Sequence, residues 1–192
     1  MRIVLATGNR HKASELGPML GAGAEVDVAP DGFEVDETGT TLIQNALLKA
    51  WALRPEVPPD QLVVADDTGL EVHALGGRPG VYSARYAGPG ATFADNNRLL
   101  LHELDGIEDR RAAFVCVLVA VNGDGEVTAG CGICPGDIAT APRGEGGFGY
   151  DPVFIPRGMD RSMAELTPEQ KNAISHRGRA ARVLATALGI AE

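Results

Sequence analysis

The sequence predicts a single α/β domain, in which short buried strands and helices follow one another along the chain. Two apolar runs rich in β-branched residues, at residues 2–6 and 62–65, are typical of buried strands. Segments with the apolar spacing of a helix occur at residues 13–20 and 41–54. A hairpin is indicated at residues 112–128, where N-G-D-G separates two strand-like runs.

Composition limits the size of the fold and the class of partner. The 192 residues, 44% of them hydrophobic, are enough for one well-buried core and few for two independent domains, so we expect one domain with room for two lobes. The net charge of -9 disfavours long nucleic acids and anionic membranes, which are bound mainly through clustered Lys and Arg. A small anionic ligand is still compatible with a few local cations and a metal.

Neither a membrane span nor a signal peptide is predicted. No apolar run reaches the length that a bilayer requires, and the apolar residues 3–6 pass directly into the polar turn T-G-N. We therefore expect a cytoplasmic protein.

The three cysteines are too few for a disulfide scaffold. Cys131 and Cys134 form a C-x-x-C, but no second Cys or His pair stands at metal-ligand spacing. On a strand, positions i and i+3 point to opposite faces and lie about 10 Å apart, which is too far for a disulfide. We expect neither a zinc site nor redox chemistry here.

The predicted strand at residues 2–6 leads through a polar turn into a helix. The turn consists of Thr7, Gly8, Asn9, Arg10, His11 and Lys12. A strand, turn and helix with a Gly and a Lys suits a phosphate group, because backbone N–H groups at the helix N-terminus face the anion and Lys12 adds charge. The turn is not a Walker A motif, so an ordinary strand-to-helix turn with a solvated lysine is the alternative. Pro18 should kink or shorten the helix.

A second strand is expected at residues 25–29, followed by a polar loop that carries Glu37 in the sequence E-T-G. The helix at residues 41–54 opens with a capping box and stops before a proline. On it, Asn45 and Lys49 stand four residues apart, so they share a face and could reach the same ligand. The alternative is that both are surface residues.

The most informative stretch is Q-L-V-V-A-D-D-T-G at residues 61–69, where an apolar run that predicts a strand ends at Asp66 and Asp67. Carboxylates at the carboxyl end of a buried strand lie at the rim of a sheet, where α/β proteins place their ligands. Such a pair can hold Mg²⁺ through oxygen ligands. The alternative is a polar turn, since Asp-Thr-Gly is common in turns.

Further elements are expected beyond the two aspartates. They are a strand at residues 70–75, a helix at 92–104 with a leucine stripe, and a short strand at 137–140. The C-terminal part begins with a capping box and a proline at the first helical position, at residues 167–170.

The stretch R-G-E-G-G-F-G-Y-D-P at residues 143–152 contains a literal G-x-G-x-x-G. A dinucleotide site is excluded, because Tyr150-Asp151-Pro152 cannot open a helix and no strand–helix–strand unit with a ribose-binding acid follows. The glycines allow the backbone to approach a ligand, and Phe148 and Tyr150 offer aromatic surfaces. A loop of this length in a compact domain is more often functional than idle.

Between two C-terminal helices, S-H-R-G at residues 175–178 concentrates hydrogen-bonding groups. These groups could read a flat heterocycle. A helix junction with an N-capping Ser175 is the simpler interpretation from this segment alone.

A series of motifs therefore runs along the chain: T-G-N-x-x-K, E-T-G, N-A-x-x-K-A, A-D-D-T-G, P-G-V-Y-S-A-R-Y, G-G-F-G-Y-D-P and S-H-R-G. In this order they resemble the inosine/xanthosine triphosphate pyrophosphatase family over essentially the whole chain, residues 1–192. The resemblance implies an elongated central mixed β-sheet flanked by helices, with the active-site cleft between two lobes. It also implies a homodimer that, with Mg²⁺, hydrolyses dITP, ITP and XTP to the monophosphate and pyrophosphate and so removes them from the nucleotide pool.

The resemblance also implies roles for individual residues. Asp67 matches the family's proposed proton acceptor and would hold Mg²⁺ with Glu37, with Asp66 as a further candidate ligand. The triphosphate would be bound by Lys49, Thr68 and the turn Thr7, Gly8, Asn9, Arg10, His11 and Lys12. The base would be surrounded by Phe148, Gly149, Tyr150, Asp151, Lys171, His176 and Arg177. The sequence leaves open whether Asp67 is the general base or only a metal ligand.

Two departures from the family pattern concern Gln44, where an acid is frequent, and Cys134, where Trp is frequent. The first bears on the electrostatics around Lys49 and the second on local packing. Two other function classes stay open at this point. A septum-inhibitor-type nucleotide pyrophosphatase would cleave modified pyrimidine triphosphates, and a non-catalytic module would bind nucleotides without turnover.

Overall fold

A computed structural model of the chain describes residues 1–20 and 24–190, apart from the side chain of Arg10. Its strands are β1 Arg2–Leu5, β2 Glu25–Val28, β3 Leu62–Val72, β4 Pro79–Gly80, β5 Arg111–Val121, β6 Val127–Ile138 and β7 Phe154–Pro156. Its α-helices are α1 Arg10–Met19, α2 Leu42–Leu53, α3 Phe93–Glu103, α4 Pro168–Ile174 and α5 His176–Ala187. None of the helices in these ranges is long and apolar enough to cross a membrane.

The strands form a mixed sheet in the order β2-β1-β3-β5-β6-β7, with β4 paired to β3. Pairing of β1 with β2 and with β3 is parallel, whereas β3 with β4 and β6 with β7 are antiparallel. The expected mixed α/β fold is thereby confirmed.

The chain divides into two compact units. The first contains residues 1–67, 116–132 and 176–192, and the second contains residues 68–115 and 133–175. Each unit has its own buried apolar clusters. The expectations of a single domain and of a cleft between lobes stay predictions.

In the first unit, helices cover both faces of the parallel strands. Ile3 and Leu5 of β1 belong to a buried cluster with Leu16 of α1 and Leu184 of α5. The alternate β1 residue Val4 belongs to a second cluster, which includes the α2 residues Ala46, Ala50 and Leu53. Burial on both faces explains why this strand reads as a continuous apolar run in the sequence.

Two glycines let α5 lie directly against β6. A Cβ atom at Gly132 would lie 2.1 Å from the His176 carbonyl oxygen, and one at Gly130 would lie 2.6 Å from the Ala180 carbonyl oxygen. Any larger side chain would push the helix away from the strand. The start of α5, which carries His176 and Arg177, is therefore held in place by the backbone of β6.

In the second unit, α3 packs on the antiparallel part of the sheet. Leu100 of α3 and Leu104, the C-cap residue of this helix, belong to the same buried cluster as Leu70 of β3 and Phe154 of β7. Phe154 also packs against Phe114, with the ring centroids 4.6 Å apart. This cluster is the core behind residues 143–152, called the glycine-rich loop from here on.

Three strand boundaries differ from the expectation. The strand expected at residues 70–75 is not separate, because residues 70–72 are the end of β3 and residues 73–75 form a 3-10 turn. β3 does not stop at Asp66 but runs on to Val72, because both carboxylates find cationic or amide partners and the strand need not break to expose them. The short strand expected at residues 137–140 is the end of β6. The expected helices at residues 41–54 and 92–104 are confirmed as α2 and α3, and α1 ends one residue after Pro18.

The expected placement of Cys131 and Cys134 on opposite faces of a strand is confirmed. Cys131 is exposed and Cys134 is buried, so the two side chains lie on opposite faces of β6. Cys134 takes part in the core of the second unit.

Candidate active site

The polar turn between β1 and α1 is folded by its own side chains. Asn9 caps α1, with its Oδ1 accepting hydrogen bonds from the backbone N–H groups of His11 (3.0 Å) and Lys12 (3.3 Å). The N–H of Asn9 in turn donates to Thr7 Oγ1 at 3.1 Å. Gly8 is required at its position, because a Cβ atom there would lie 2.8 Å from the Phe33 carbonyl oxygen. The turn therefore holds one fixed conformation at the helix N-terminus.

Lys12 is not a solvated lysine. Its Nζ lies 2.9 Å from Asp66 Oδ2, and only 16% of its side chain is exposed. His11, by contrast, is exposed, and the Arg10 side chain lies outside the described part of the chain.

Asp66 and Asp67 are neighbours on β3, and successive side chains of a strand point to opposite faces. Asp66 faces α1 and α5: besides Lys12, its Oδ2 lies 3.6 Å from Arg177 Nη2. Asp67 faces α2, where its partners are Asn45 and Lys49. The two carboxylates therefore belong to different clusters of side chains.

The Asp66 cluster is a buried ion-pair network. Asp66 is 2% exposed and Arg177 is also 2% exposed, and Arg177 forms a second ion pair with Glu15. Burial by itself would raise the pKa of Asp66, but the charges of Lys12 and Arg177 outweigh burial and hold that pKa well below its usual range. Asp66 is therefore a carboxylate that is charged at neutral pH and anchors α1 and α5 to β3.

The Asp67 cluster is centred on the ammonium group of Lys49. Lys49 Nζ lies 3.1 Å from Asp67 Oδ1 and 3.0 Å from Glu37 Oε1. Burial lowers the pKa of Lys49, but the surrounding carboxylates outweigh burial and raise it. Burial raises the pKa of Asp67, and Glu37 adds to this, while Lys49 acts in the opposite direction. Asp67 is thus a carboxylate with a stronger affinity for a proton than an ordinary aspartate.

Asn45 fixes the orientation of Asp67. This side chain is fully buried, and its Nδ2 donates to Asp67 Oδ2 at 3.2 Å. Its Oδ1 accepts a hydrogen bond of 2.8 Å from the N–H of Gly39, in the E-T-G segment that also carries Glu37. Asn45 therefore ties the loop of Glu37 to the carboxylate of Asp67. The spacing of Asn45 and Lys49 on one helix face was the sequence signal for this arrangement.

Gln44 takes no part in this cluster. Its Oε1 accepts hydrogen bonds from the backbone N–H groups of Thr40 (2.8 Å) and Thr41 (3.2 Å), which completes the predicted capping box of α2. The Gln44 side chain, one of the two expected departures from the family pattern, therefore caps the N-terminus of α2.

Glu37 and Asp67 fit a magnesium ion better than a softer metal. Within residues 1–20 and 24–190, no group of three or more His, Cys, Asp and Glu side chains is arranged to hold a metal. Both carboxylates nevertheless contact one cation, the Lys49 ammonium, so their oxygens converge. Mg²⁺ is usually held by one or two carboxylates and keeps several waters, which matches this pair of oxygen donors.

In the second unit, the residues predicted to surround a base form a connected group. Asp151 Oδ2 accepts hydrogen bonds from the Phe148 N–H (2.8 Å) and from Lys171 Nζ (2.6 Å). Lys171 Nζ also lies over the Phe148 ring, 4.8 Å from its centroid. Asp151 and Lys171 are buried, whereas Phe148 is half-buried. The group thus combines an aromatic surface with a cation next to it.

The glycine-rich loop is held by further contacts that the sequence did not indicate. The Tyr150 hydroxyl donates to the Ser83 carbonyl oxygen at 2.9 Å, and burial raises the pKa of Tyr150. The carbonyl of Gly149, a residue with φ of +65°, accepts a hydrogen bond of 3.0 Å from Asn97 Nδ2. Asn97 belongs to no motif of the sequence, so only the structure identifies it as a contact of the loop.

The predicted site residues therefore fall into two groups. Residues 7–12, Glu37, Lys49, Asp66, Asp67, His176 and Arg177 belong to the first unit, and Thr68, Phe148, Gly149, Tyr150, Asp151 and Lys171 belong to the second. His176 is buried at the start of α5, and Thr68 is half-buried in β3. Arg177 forms ion pairs with Glu15 and Asp66, and the roles of His176 and Arg177 in base binding stay predictions.

Comparison with known proteins finds relatives that span nearly the full length of the chain. The model of the Ham1 family matches residues 3–187. A protein of Geobacillus kaustophilus named dITP/XTP pyrophosphatase is 51% identical over 185 residues, which cover 93% of this chain and 89% of that protein. A protein of the same name from an Exiguobacterium species is 46% identical and covers 96% of this chain and 95% of its own length.

Solved structures agree with these sequence relatives. The structure of the Staphylococcus aureus Ham1 protein superposes with a TM-score of 0.86 at 41% identity, covering 98% of both chains. A HAM1 protein from Coxiella burnetii gives a TM-score of 0.84 at 38% identity, with full coverage of both chains.

Proposed function

Since the chain belongs to the Ham1 family, we propose that it is a pyrophosphatase that hydrolyses non-standard purine nucleoside triphosphates such as dITP and XTP. The names of the relatives that share about half of its sequence support this assignment. The observation in the chain itself that carries it is the convergence of Glu37 and Asp67 on Lys49. Phosphoryl transfer to water needs a general base and a positive charge that neutralises the phosphate. The carboxylates and the lysine of this cluster provide both at one point.

In this proposal, Asp67 accepts the proton of the attacking water. The raised pKa of Asp67 favours proton uptake, and Asn45 keeps its carboxylate in one orientation. Lys49 donates to a phosphate oxygen and offsets the negative charge that develops in the transition state.

Glu37 and Asp67 are also the residues that would hold Mg²⁺. When bound, the ion would neutralise charge on the phosphate oxygens and lower the pKa of a bound water. The exposed fraction of the Glu37 side chain, 25%, leaves it able to turn toward an ion. Magnesium dependence thus follows as a proposal from the oxygen donors present.

The turn of residues 7–12 would bind the distal phosphates. Lys12 lies at the N-terminus of α1, where backbone N–H groups and the helix dipole favour an anion. Asp66 and Arg177 hold α1 and α5 in place and leave the direct chemistry to Asp67.

Base selection would rest on Phe148, Asp151 and Lys171. Phe148 provides a stacking surface, and Lys171 is a donor for the 6-oxo group of hypoxanthine or xanthine. Adenine carries an amino group at this position, so it would leave a buried donor unpaired at a cost of about 1–3 kcal/mol, or roughly ten- to a hundredfold in rate. We also propose a cytoplasmic homodimer, on the strength of the family resemblance.

The test is pyrophosphate release from dITP, XTP, dATP, dGTP and dTTP, with Mg²⁺ and again with a chelator. We expect fast release from dITP and XTP and slow release from dATP and dTTP, loss of release in Asp67→Asn and on chelation, and normal activity of Asp27→Asn on the exposed strand β2. dGTP shares the 6-oxo group with dITP, so its rate shows whether selection also depends on the 2-position of the base. Cleavage of pyrimidine triphosphates would instead favour a septum-inhibitor-type enzyme. No turnover of any of the five would leave a nucleotide-binding module.

A further inference from the structure

Helix α3 presents two side chains to the glycine-rich loop. Phe93 and Asn97 are four residues apart, so they lie on the same face of the helix, one turn from each other. The Phe93 ring lies 6.1 Å from the Phe148 ring, at an interplanar angle of 42°. Asn97 donates its hydrogen bond to the carbonyl of the next loop residue, Gly149. One helix face therefore contacts two consecutive residues of the loop.

We propose that Phe93 and Asn97 are positioning residues that hold Phe148 and Gly149 in the conformation that binds the purine base. The inference rests on the proposed function, in which Phe148 stacks on the base. It goes beyond that function because neither residue belongs to a motif of the sequence and neither is part of the predicted site.

The loop needs such support because its backbone is permissive. Gly147 and Gly149 both have positive φ, at +69° and +65°, and they flank Phe148 on either side. Glycine populates many backbone conformations, so the direction of the Phe148 ring is not determined by its own chain neighbours. It is set by other contacts in the unit, among them those of Asp151 and Lys171 with Phe148. Helix α3 is a rigid element that adds the Phe93 ring contact with Phe148 and a hydrogen bond to Gly149.

The position of Phe93 is unusual for an aromatic side chain. It is 45% exposed at the first turn of α3, yet its ring lies within the 4.5–7 Å range of favourable aromatic pairs with Phe148. An exposed phenylalanine contributes little to the core. Its packing on Phe148 therefore affects the loop more than it affects folding.

Asn97 is buried, with 8% of its surface exposed, and its amide N–H donates to the carbonyl of Gly149 in the loop. Its Oδ1 has no hydrogen-bond partner within residues 1–20 and 24–190. An acceptor buried in this way destabilises a folded protein. The neighbouring Asn96, by contrast, uses both ends of its amide, donating to Ala84 and accepting from Ala87. The unfavourable free energy of burying the Asn97 oxygen is accounted for if its amide N–H is needed to hold the loop at Gly149.

The experiment measures KM and kcat for dITP together with the inhibition constant of inorganic tripolyphosphate, which has no base. We expect Phe93→Leu and Asn97→Ser each to raise KM for dITP about three- to tenfold, the size of a lost ring pair or hydrogen bond. kcat and the inhibition constant of tripolyphosphate should stay within about twofold, because the phosphate-binding residues Lys49 and 7–12 belong to the first unit, whereas Phe93 and Asn97 belong to the second. Phe93→Tyr keeps the ring and should retain the wild-type KM.

His102→Ala, an exposed substitution at the other end of α3, is the matched control and should change nothing. Because Phe93 is exposed, its variants test the proposal even if Asn97→Ser folds poorly. An unchanged KM in Phe93→Leu would overturn the proposal. So would a parallel rise in KM and in the inhibition constant, which indicates general loosening. A wild-type protein that does not cleave dITP would instead overturn the proposed function itself.

Discussion

Replacing Asp66 by Asn tests whether this residue is a structural anchor. The substitution keeps the volume of the side chain but removes the charge that lies 2.9 Å from Lys12 Nζ and 3.6 Å from Arg177 Nη2. Arg177, with a side chain only 2% exposed, would keep Glu15 as an anionic partner. Removing one member of a buried ion pair costs about 3–5 kcal/mol, and we expect the lower end because Glu15 and the Asn oxygen compensate in part.

The effect should depend on pH. Because the pKa of Asp66 is lowered in the folded protein, its contribution to the free energy of unfolding is present above the unfolded-state value of about 3.9. That contribution is lost as the pH falls through the acid range toward the folded-state pKa. The difference between wild type and Asp66→Asn should therefore be largest near neutral pH and shrink at acid pH.

Urea unfolding followed by circular dichroism measures this difference. A loss of about 3 kcal/mol corresponds to a fall in melting temperature of roughly 6–12 °C for a chain of this size. Asp27→Asn, which removes the same charge at an exposed site of β2, should have almost no effect. A loss below about 1 kcal/mol at neutral pH, or one that does not shrink with acid, would refute the ion-pair network around Asp66.

Two further predictions concern the glycines under α5 and the amide beside Asp67. Gly132→Ala should destabilise the protein by about 1–3 kcal/mol, because its Cβ would lie 2.1 Å from a carbonyl oxygen. Gly17→Ala, which has open space around its Cβ, should be neutral or stabilising in the same melting experiment. Equal melting temperatures of the two variants would contradict the close packing of α5 on β6. Asn45→Ala should lower kcat for dITP about ten- to a hundredfold, because Asp67 loses a charge-assisted hydrogen bond. Asn122→Ala in the β5–β6 turn removes hydrogen bonds far from Asp67 in the chain and should leave kcat unchanged, and an unaffected kcat in Asn45→Ala would mean that Asn45 does not orient Asp67.

Local features of the chain were predictable because their causes lie within a few residues. The capping boxes at Thr41 and Thr167 form between positions three apart, and both are present. The turn after β1 was recognised from its Gly, Asn and Lys, but it is shorter than the predicted residues 7–12, because α1 already begins at Arg10. The prediction that β3 ends at Asp66 was wrong. In the sequence two consecutive carboxylates indicate a turn, but the folded chain provides partners for both of them.

The sequence by itself determined the family, the order of most elements and the residue types that can bind phosphate, a metal and a base. Only the tertiary structure decided which of these residues work together. Period-two alternation implies that Asp66 and Asp67 face opposite ways, but which helix covers each face depends on packing between segments far apart in the chain. Arg177 meets Glu15 across 162 positions, and Asn97 meets Gly149 across 52. Such contacts leave no local pattern, because each partner could satisfy its hydrogen bonds equally well in solvent until the core brings the two segments together.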